Sequence, residues 1–409
     1  MLLYTVRGVV WIIVYLLFIL APLFALLVGS HPPPRDFWTE FSVAIGYAGL
    51  AMMGLQFGLT ARFRYITEPW GEDVIYHFHR QISQIAVGLV LAHPIILFVL
   101  RPQRLAMLNF IEASWRTRFA ILSTCSLIVL VVMAIWRAKL NIKYETWHLT
   151  HIVLALVAVT AGLLHMVGWG FYLTDPWKRA LWIGLTVFWI GLLFYVRIFK
   201  PLLMLRRPYR VTEVRRERGD TSTLVLHPDG HPGFSFNPGQ FGWLTVGGSP
   251  FKIAGHPFSF SSSAAVMDGH VEMSIRNLGD FTSDIHKMPL RQRVYLDGPY
   301  GAFTIGNPAD MHVLIAGGIG ITPMMSMIRT LADRGAKRPV ILLYGSKDWD
   351  SITFREELEA LKPRFNLSTC SRIRQPAGQA RGATSPLICL SVTCPGRMPT
   401  TSTSSAGRT

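Results

Sequence analysis

The sequence VIYHFHRQISQIAVGLVLAHPIILFVL, residues 74–100, is a continuous apolar stretch long enough to cross a lipid bilayer. It contains His79 and His93, which are 14 residues apart. Fourteen residues advance an α-helix by about 21 Å and close to four full turns, so both imidazoles lie on one face of the predicted helix. Ionisable side chains inside a membrane span usually have a function, because their burial in lipid is costly.

A second apolar stretch, residues 146–168, carries His151 and His165 at the same spacing. These two stretches are the third and fifth of six predicted spans, so they cross the membrane in the same direction. His79 can therefore face His151 at one depth, and His93 can face His165 at the other. Facing imidazoles can ligate a haem iron axially, and two levels predict two b-type haems stacked across the bilayer. A single membrane histidine could equally be a packing residue bonded to backbone, but the repeated spacing favours metal ligation.

Two further histidines near these spans lack such partners. The positions 14 residues after His77 and His148 are Leu91 and Gly162, which cannot ligate a metal. We therefore predict interfacial or hydrogen-bonding roles for both histidines. Arg80 could pair with haem propionates, or it could anchor the helix at the positively charged side of the membrane; both interpretations remain open.

Composition agrees with a membrane protein that also has a soluble part. Of 409 residues, 50% are hydrophobic and only 16% are charged, which excludes a disordered chain, a collagen and a disulfide-rich mini-protein. The net charge of +16 comes from scattered bases without a basic stripe, so no nucleic acid partner is predicted. The lipid bilayer is the expected partner instead. The six predicted spans cover roughly residues 8–29, 41–60, 74–100, 118–136, 146–168 and 180–199.

The distribution of basic residues predicts the orientation in the membrane. If the N-terminus is inside, eleven Lys and Arg residues lie in inner segments of the first half and seven in outer segments. Positive charge favours the inner side, so the C-terminal half is predicted to be cytoplasmic. The first span has no cleavage-site pattern and is interpreted as a retained anchor.

From about residue 207 the pattern changes to short β-like runs and then to a strand–helix–strand unit. The predicted fold is multi-domain: a six-helix transmembrane α bundle, an antiparallel β-barrel, and a partial α/β, Rossmann-like lobe. The predicted boundaries are 1–205 for the transmembrane haem domain, 206–306 for the barrel, 307–365 for the partial lobe and 366–409 for a tail.

Four motifs follow one another in the barrel: PGQF (Pro238–Phe241), HPFSFSS (His256–Ser262), IRNLGDFT (Ile275–Thr282) and DGPYG (Asp297–Gly301). Together with the histidine spacing, they show that the chain resembles the membrane ferric reductase / NADPH oxidase superfamily over roughly residues 8–365. That resemblance implies a ferric-reductase-like transmembrane domain and a ferredoxin-reductase-type FAD/NAD(P)H domain. Its cofactors would be FAD, two haem b groups and NADPH or NADH.

The resemblance also implies flavin contacts for the segment HPFSFSS. Phe258 would stack near the isoalloxazine, and Ser259 would bond the reactive ring edge as the candidate catalytic residue. His256 and Pro257 would shape the strand turn.

The turn in IRNLGDFT is implied to lie at the FAD diphosphate. Gly279 would let the backbone approach, Thr282 would offer a hydroxyl, and Phe281 would complete the flavin contacts. Bare backbone and hydroxyl groups suit anionic oxygens.

A glycine-rich turn, GGIGITP (Gly317–Pro323), follows a predicted strand and opens a predicted helix. Such turns let backbone approach a diphosphate at a helix N-terminus. The nucleotide-binding candidates are Gly317, Gly318, Gly320, Thr322 and Pro323, of which the last two would lie near the nicotinamide by resemblance. Lys347 favours NADPH over NADH weakly, since a loop lysine is commonly just solvated.

The resemblance implies electron transfer from cytoplasmic NAD(P)H through FAD and haem to a small-molecule acceptor outside, either ferric iron or dioxygen. An alternative is a non-catalytic haem-binding membrane protein with a relic reductase half. A transporter or channel would need polar groups along the spans, and few exist besides the histidines. The oligomeric state is not predicted.

The tail departs from the pattern of the superfamily. Residues 366–409 contain no Asp, Glu or Lys, fourteen of these 44 residues are Ser or Thr, and Phe365 is the last aromatic residue. We therefore predict a disordered or out-of-frame tail, with slow or absent flavin reduction by NADPH.

Overall fold

The computed structural model describes residues 2–30, 32–67, 70–252, 255–305, 309–336, 338–361, 367–372 and 387–389. The chain divides into two compact units. Unit 1 comprises Met1–Arg206, Gly248–His256 and Tyr300–Ala302. Unit 2 comprises Arg207–Gly247, Pro257–Pro299 and Phe303–Thr409.

Unit 1 is helical. Among the described residues, six helices are long and apolar enough to cross a membrane, which confirms the six predicted spans. The long helices are α1 (Leu2–Leu26), α2 (Phe37–Leu59), α4 (Glu72–Leu100), α5 (Trp115–Trp136), α6 (Tyr144–Trp169) and α7 (Pro176–Phe194). The last span continues through a π-turn (Tyr195–Phe199) into α8 (Lys200–Leu205), and the short α3 (Arg64–Thr67) precedes α4.

Side chains at the helix ends explain where several spans begin and stop. Asp36 accepts a hydrogen bond from the N–H of Thr39 at 3.0 Å and caps α2. Ser114 accepts one from the N–H of Thr117 at 3.4 Å and caps α5. At the end of α6, Gly170 adopts a left-handed conformation with φ of 61°, which glycine tolerates at little cost.

The helices of unit 1 pack in neighbouring pairs around α2. This helix lies along α4 and also contacts α1, α6 and α7, whereas α5 lies along α6. Gly54 of α2 leaves room for the fully buried indole of Trp189, which occupies the space that a Cβ would need. A larger residue at this position would push α2 and α7 apart.

Lys178, at the start of α7, is fully buried. Its Nζ donates to the carbonyl oxygens of Leu26 at 3.1 Å and Ser30 at 2.6 Å, and it lies 3.3 Å from a carboxylate oxygen of Asp175. A buried ammonium is tolerated only with such partners. The end of α1 is thereby tied to the start of α7.

Unit 2 begins with a six-stranded antiparallel barrel, as predicted. Its strands are β1 (Tyr209–Glu217), β2 (Thr221–Pro228), β3 (Phe241–Val246), β4 (His256–Ser259), β5 (Val271–Arg276) and β6 (Arg293–Tyr300). They lie in the order β4-β3-β6-β1-β2-β5, and a bridge between Phe260 and Met273 joins the two ends of the sheet. Both of these residues are fully buried in the barrel core. The short helix α9 (Asp280–Ser283) follows β5.

The rest of unit 2 is an α/β lobe. Its elements are β7 (His312–Gly317), α10 (Ile321–Asp333), β8 (Val340–Ser346), α11 (Arg355–Leu361), β9 (Leu367–Arg372) and β10 (Leu387–Cys389). The strands lie in the order β10-β9-β8-β7, with β7, β8 and β9 parallel. The parallel strands and the helix α10 between them match the predicted strand–helix–strand unit.

Two short segments of the predicted disordered or out-of-frame tail form strands of the lobe. Leu367–Arg372 pairs in parallel with β8, and Leu387–Cys389 pairs antiparallel with β9. Without β9, the backbone N–H and C=O groups along this edge of β8 would be unpaired. Backbone pairing does not require bulky side chains, so a segment rich in Ser and Thr can form it. The other residues of the tail lie outside the described residues.

Candidate functional site

The first histidine pair lies between α4 and α6. The ring centroids of His79 and His151 are 6.5 Å apart, with an interplanar angle of 62°. Metal–imidazole bonds of about 2.1 Å and ring radii of about 1.2 Å would place two axial imidazoles with their centroids about 6.6 Å apart. Both Nδ1 atoms are buried and have no hydrogen-bond partner within the described structure. The spacing of the two rings therefore fits a metal ion shared between them.

The second histidine pair is held by backbone. His93 Nδ1 lies 2.9 Å from the carbonyl oxygen of Ser42, and His165 Nδ1 lies 3.0 Å from that of Arg116. A carbonyl can only accept, so each Nδ1 carries the proton and each Nε2 keeps its lone pair. This is the tautomer in which imidazole binds a metal through Nε2. His165 is close enough to His93 for an electrostatic interaction between them.

Small residues of α2 shape the surroundings of His93. The hydroxyl of Ser42 donates to the carbonyl oxygen of His93 at 2.8 Å. A Cβ at Gly46 would lie 3.1 Å from His93 Cγ, tighter than ordinary van der Waals contact. The second pair is therefore positioned by α2 as well as by its own helices.

The two histidines without spacing partners behave differently from the four candidates. His148 Nε2 lies 2.7 Å from Nη2 of Arg197 and accepts a hydrogen bond from it. His77 and Arg80 are exposed on α4. Among the described residues, neither His77 of α4 nor His148 of α6 forms a ring contact with a histidine of the other helix.

The structure brings two of the predicted flavin motifs together. The ring of Phe258, on β4, stacks on the ring of Phe281 with centroids 6.1 Å apart and an interplanar angle of 15°. Phe258 and Ser259 are partly exposed, whereas Pro257 is exposed. Burial lowers the pKa of His256 below its ordinary value, although the charge of Glu145 opposes this shift. This strand thus presents an aromatic face and a hydroxyl side by side.

The turn at Gly279 is built around a hydroxyl. Thr282 Oγ1 accepts hydrogen bonds from the N–H groups of Leu278 at 2.8 Å and Gly279 at 2.9 Å, and it donates to the carbonyl oxygen of Gly279 at 3.0 Å. The structure therefore places the predicted diphosphate hydroxyl inside the turn. Gly279 itself is exposed, and a Cβ there would meet no protein atom within 4 Å.

The glycine-rich turn lies between β7 and α10. Cβ atoms at Gly317 and Gly320 would meet nothing within 4 Å, so the backbone is accessible there. At Gly318, φ is +53° and a Cβ would lie 3.3 Å from the guanidinium of Arg276. The Arg276 side chain therefore lies beside the turn, where its positive charge suits an anionic ligand.

Thr322, predicted to lie near the nicotinamide, is buried at the start of α10. It is 2% exposed, and its hydroxyl donates to the carbonyl oxygens of Ile319 at 2.9 Å and Ser274 at 3.3 Å. These bonds attach the start of α10 to the barrel strand β5. Pro323, the neighbouring candidate, is partly exposed.

Sequence reasoning missed Arg329, which joins the barrel to the lobe within unit 2. Its guanidinium donates to both carboxylate oxygens of Glu357, at 2.7 and 2.6 Å, and to Glu272 at 2.7 Å. It also donates to the carbonyl oxygen of Ser261 at 2.8 Å. Burial lowers the pKa of Arg329, but the bonds and charges of both glutamates raise it above its ordinary value. No motif in the sequence distinguishes Arg329 from the exposed Arg334 at the end of the same helix.

Comparison with known families agrees with this three-part organisation. Residues 45–162 match the ferric reductase like transmembrane component, residues 209–304 match an FAD-binding domain, and residues 314–385 match an oxidoreductase NAD-binding domain. The first match includes three of the four candidate haem ligands, and His165 follows three residues after its end.

Known relatives include membrane oxidoreductases. A probable ferric reductase transmembrane component from Candida albicans is 25% identical over 338 residues, which are 78% of this chain and 46% of the relative. Respiratory burst oxidase homolog protein C from Solanum tuberosum is 28% identical over 218 residues, covering 46% of this chain and 22% of the relative. In both cases the match spans less than half the length of the relative.

Solved structures similar to the chain include the flavohem-like FAD/NAD-binding domain of nitric oxide dioxygenase from Vibrio cholerae O1 biovar El Tor. It is 24% identical, the match covers 43% of this chain and 80% of that domain, and the TM-score is 0.36. With six helices long enough to span a membrane, followed by matches to FAD-binding and NAD-binding domains, the chain is a multi-pass membrane protein with the domains of an NAD(P)H oxidoreductase, similar to ferric reductase transmembrane components.

Proposed function

We propose that the chain carries electrons from cytoplasmic NAD(P)H, through FAD and two b-type haems, to ferric iron or dioxygen on the outer face of the membrane. The observation that carries this proposal is the pair of neighbouring imidazoles, His79 and His151, on two candidate membrane helices, with rings 6.5 Å apart and buried Nδ1 atoms. When bound, flavin supplies hydride acceptance and haem supplies one-electron transfer.

The proposed haem domain is residues 1–205. His79 and His151 would hold one haem, and His93 and His165 would hold the other. The backbone bonds at Ser42 and Arg116 keep the second pair in the ligating tautomer before any metal arrives.

The proposed flavin domain is residues 206–306. Phe258 would offer its ring face to the isoalloxazine, and Ser259 would direct its hydroxyl to the reactive ring edge. The open space at Gly279 supports close approach of the diphosphate to the backbone. His256, Pro257, Phe281 and Thr282 would shape the rest of this site.

The proposed nucleotide domain is residues 307–365, extended by the strand at Leu367–Arg372. Accessible backbone at Gly317 and Gly320 supports diphosphate binding there, with Arg276 adding positive charge. The third parallel strand favours a working lobe over the alternative of a relic reductase half, because it covers an edge of β8 that would otherwise be open.

Absorption spectra of the full chain in detergent test the proposal. We expect a reduced b-haem spectrum after dithionite. Because the third parallel strand favours a working lobe, we also expect flavin bleaching followed by haem reduction after anaerobic NADPH, in place of the slow or absent reduction predicted from the tail. Parallel spectra with NADH show which nucleotide is preferred. Haem reduction by dithionite with an unreactive, bound flavin would favour the relic alternative. A purified, folded chain without a haem spectrum would contradict the proposal as a whole.

A further inference from the structure

Two histidines on the barrel surface form a cross-strand pair outside the redox sites. Strands β2 and β5 are antiparallel, and Leu226 lies opposite Val271 at the end of their ladder. The next residues in this register are His227 and His270, so their side chains emerge on the same face. Leu226 and Val271 are fully buried, so the histidines point to the outer face of the barrel. Their rings stack with centroids 5.1 Å apart and an interplanar angle of 24°.

A carboxylate completes this cluster. Asp268 Oδ1 lies 2.6 Å from His270 Nδ1, and Asp268 Oδ2 lies 3.7 Å from His227 Nε2. One ligand atom from each of the three residues lies within 4.8 Å of the other two. Tetrahedral zinc with bonds of about 2.1 Å needs ligand atoms about 3.4 Å apart. Small rotations of these side chains are enough to reach that spacing.

Neighbouring groups hold two of the three side chains in place. The hydroxyl of Thr212 lies 2.8 Å from His227 Nδ1 and 3.2 Å from the carbonyl oxygen of Val225. When the hydroxyl donates to this carbonyl, its oxygen accepts a hydrogen bond from the N–H of Nδ1, and Nε2 keeps its lone pair. The backbone N–H of His270 donates to Asp268 Oδ1 at 3.0 Å and orients the carboxylate. Such outer contacts are typical of metal ligands.

We propose that His227, Asp268 and His270 bind a divalent transition metal of the Zn²⁺ class, with water as the remaining ligand. Two imidazoles and one carboxylate match the ligand preference of such ions. The bound ion would join the ends of β2 and β5 and stabilise the barrel. This site is separate from the haem and flavin residues and does not depend on the proposed electron transfer.

Zinc titration of the full chain without a polyhistidine tag tests this site. The untagged protein in detergent is titrated against a chromophoric zinc chelator, and Co²⁺ absorption serves as the second readout. We expect His227→Gln, Asp268→Asn and His270→Gln each to weaken one Zn²⁺ site at least tenfold, as expected for the loss of a ligand. His286→Gln is the matched control, since it removes a histidine of unit 2 outside the cluster and should leave that site unchanged.

Thermal unfolding in zinc-free buffer shows whether the variants remain folded. If a ligand variant is unstable, Thr212→Val keeps the three ligands and should still weaken zinc binding severalfold. Zn²⁺ should raise the unfolding temperature of the unmodified chain and leave that of the ligand variants unchanged. If the unmodified chain and the folded ligand variants bind zinc with equal affinity, the His–Asp cluster does not bind the metal, and the proposal is overturned.

Discussion

The two histidine pairs differ in how the protein holds them. Nδ1 of His93 and His165 is bonded to backbone carbonyl oxygens, whereas Nδ1 of His79 and His151 has no partner within the described structure. A missing hydrogen bond leaves an imidazole less oriented and less basic towards a metal. We therefore expect the His79/His151 haem to dissociate more readily.

Replacement of Gly279 tests the proposed flavin turn. Its φ is near 180°, a conformation that any residue adopts, and a side chain there meets no protein atom. Gly279→Val should therefore leave the fold intact and displace FAD by occupying the space for its diphosphate. The flavin-to-protein ratio after gel filtration measures the effect.

Gly317→Val is the matched variant, because a side chain there also meets only open space. It should keep FAD and reduce the rate of flavin reduction by NADPH at least tenfold. Full flavin occupancy in Gly279→Val would show that the turn does not contact the cofactor.

Ser259 is predicted to influence flavin chemistry more than flavin binding. Ser259→Ala should retain FAD and slow anaerobic flavin reduction by about tenfold to a hundredfold, since a positioned hydrogen bond is lost at the reacting ring. Stopped-flow absorbance measures the rate, and Ser283→Ala, a half-buried serine at the end of α9, is the control. An unchanged rate would remove Ser259 from the catalytic role.

At the scale of elements, α10 depends on Arg329 for its attachment to the barrel. The Arg329 side chain is 14% exposed, and its replacement removes the bonds to Glu357 and leaves Glu272 with Arg215, at 3.1 Å, as its remaining cationic partner. Arg329→Leu should lower the free energy of unfolding of unit 2 by about 2–4 kcal/mol. Denaturant titration followed by flavin fluorescence measures it. Arg334→Leu, at the exposed end of the same helix, should change stability little; equal effects would contradict a specific role for Arg329.

The start of α2 should be sensitive to acid. Hydrogen bonds from the hydroxyl and the N–H of Thr39 lower the pKa of Asp36. The pKa of Asp36 is therefore lower in the folded than in the unfolded chain. The ionised carboxylate stabilises the fold fully above the unfolded pKa of about 3.9, and this stabilisation is lost as the pH falls through the folded pKa. Asp36→Ala should therefore lower the unfolding temperature at pH 7, and this difference should shrink below about pH 4. Asp333→Ala, an exposed acid in α10, should show no comparable difference at pH 7.

Elements with strong local patterns were predictable, and elements that depend on distant partners were not. Apolar length revealed the six spans, and short runs rich in β-branched and aromatic residues indicated four of the six barrel strands. Leu367–Arg372 has little apolar character, and its pairing depends on the open edge of β8 rather than on its own sequence. The burial of Thr322 depends on the carbonyl oxygen of Ser274, 48 residues away, which no local motif reveals.

At the scale of the whole molecule, the chain combines a helical unit with six candidate membrane spans and a second unit that contains the barrel and the lobe. The repeated histidine spacing predicted which residues face each other in the first unit because a helix has a fixed period. The partners of those histidines on α2 and α5 could not be predicted, since Ser42 and Arg116 come from other helices. The packing of the helices therefore determines the hydrogen-bond partners of these histidines, which the helical period alone does not reveal.

Haem content per chain is the most direct measurement of the central claim, which is two bis-histidine haem levels. The pyridine haemochrome assay on purified protein should give two b-type haems for the unmodified chain and one for either His79→Ala or His165→Ala. The double variant should have none, and His77→Ala, an exposed histidine of the same helix as His79, should keep both. Two haems in the double variant, or loss of haem in His77→Ala equal to that in His79→Ala, would contradict the account.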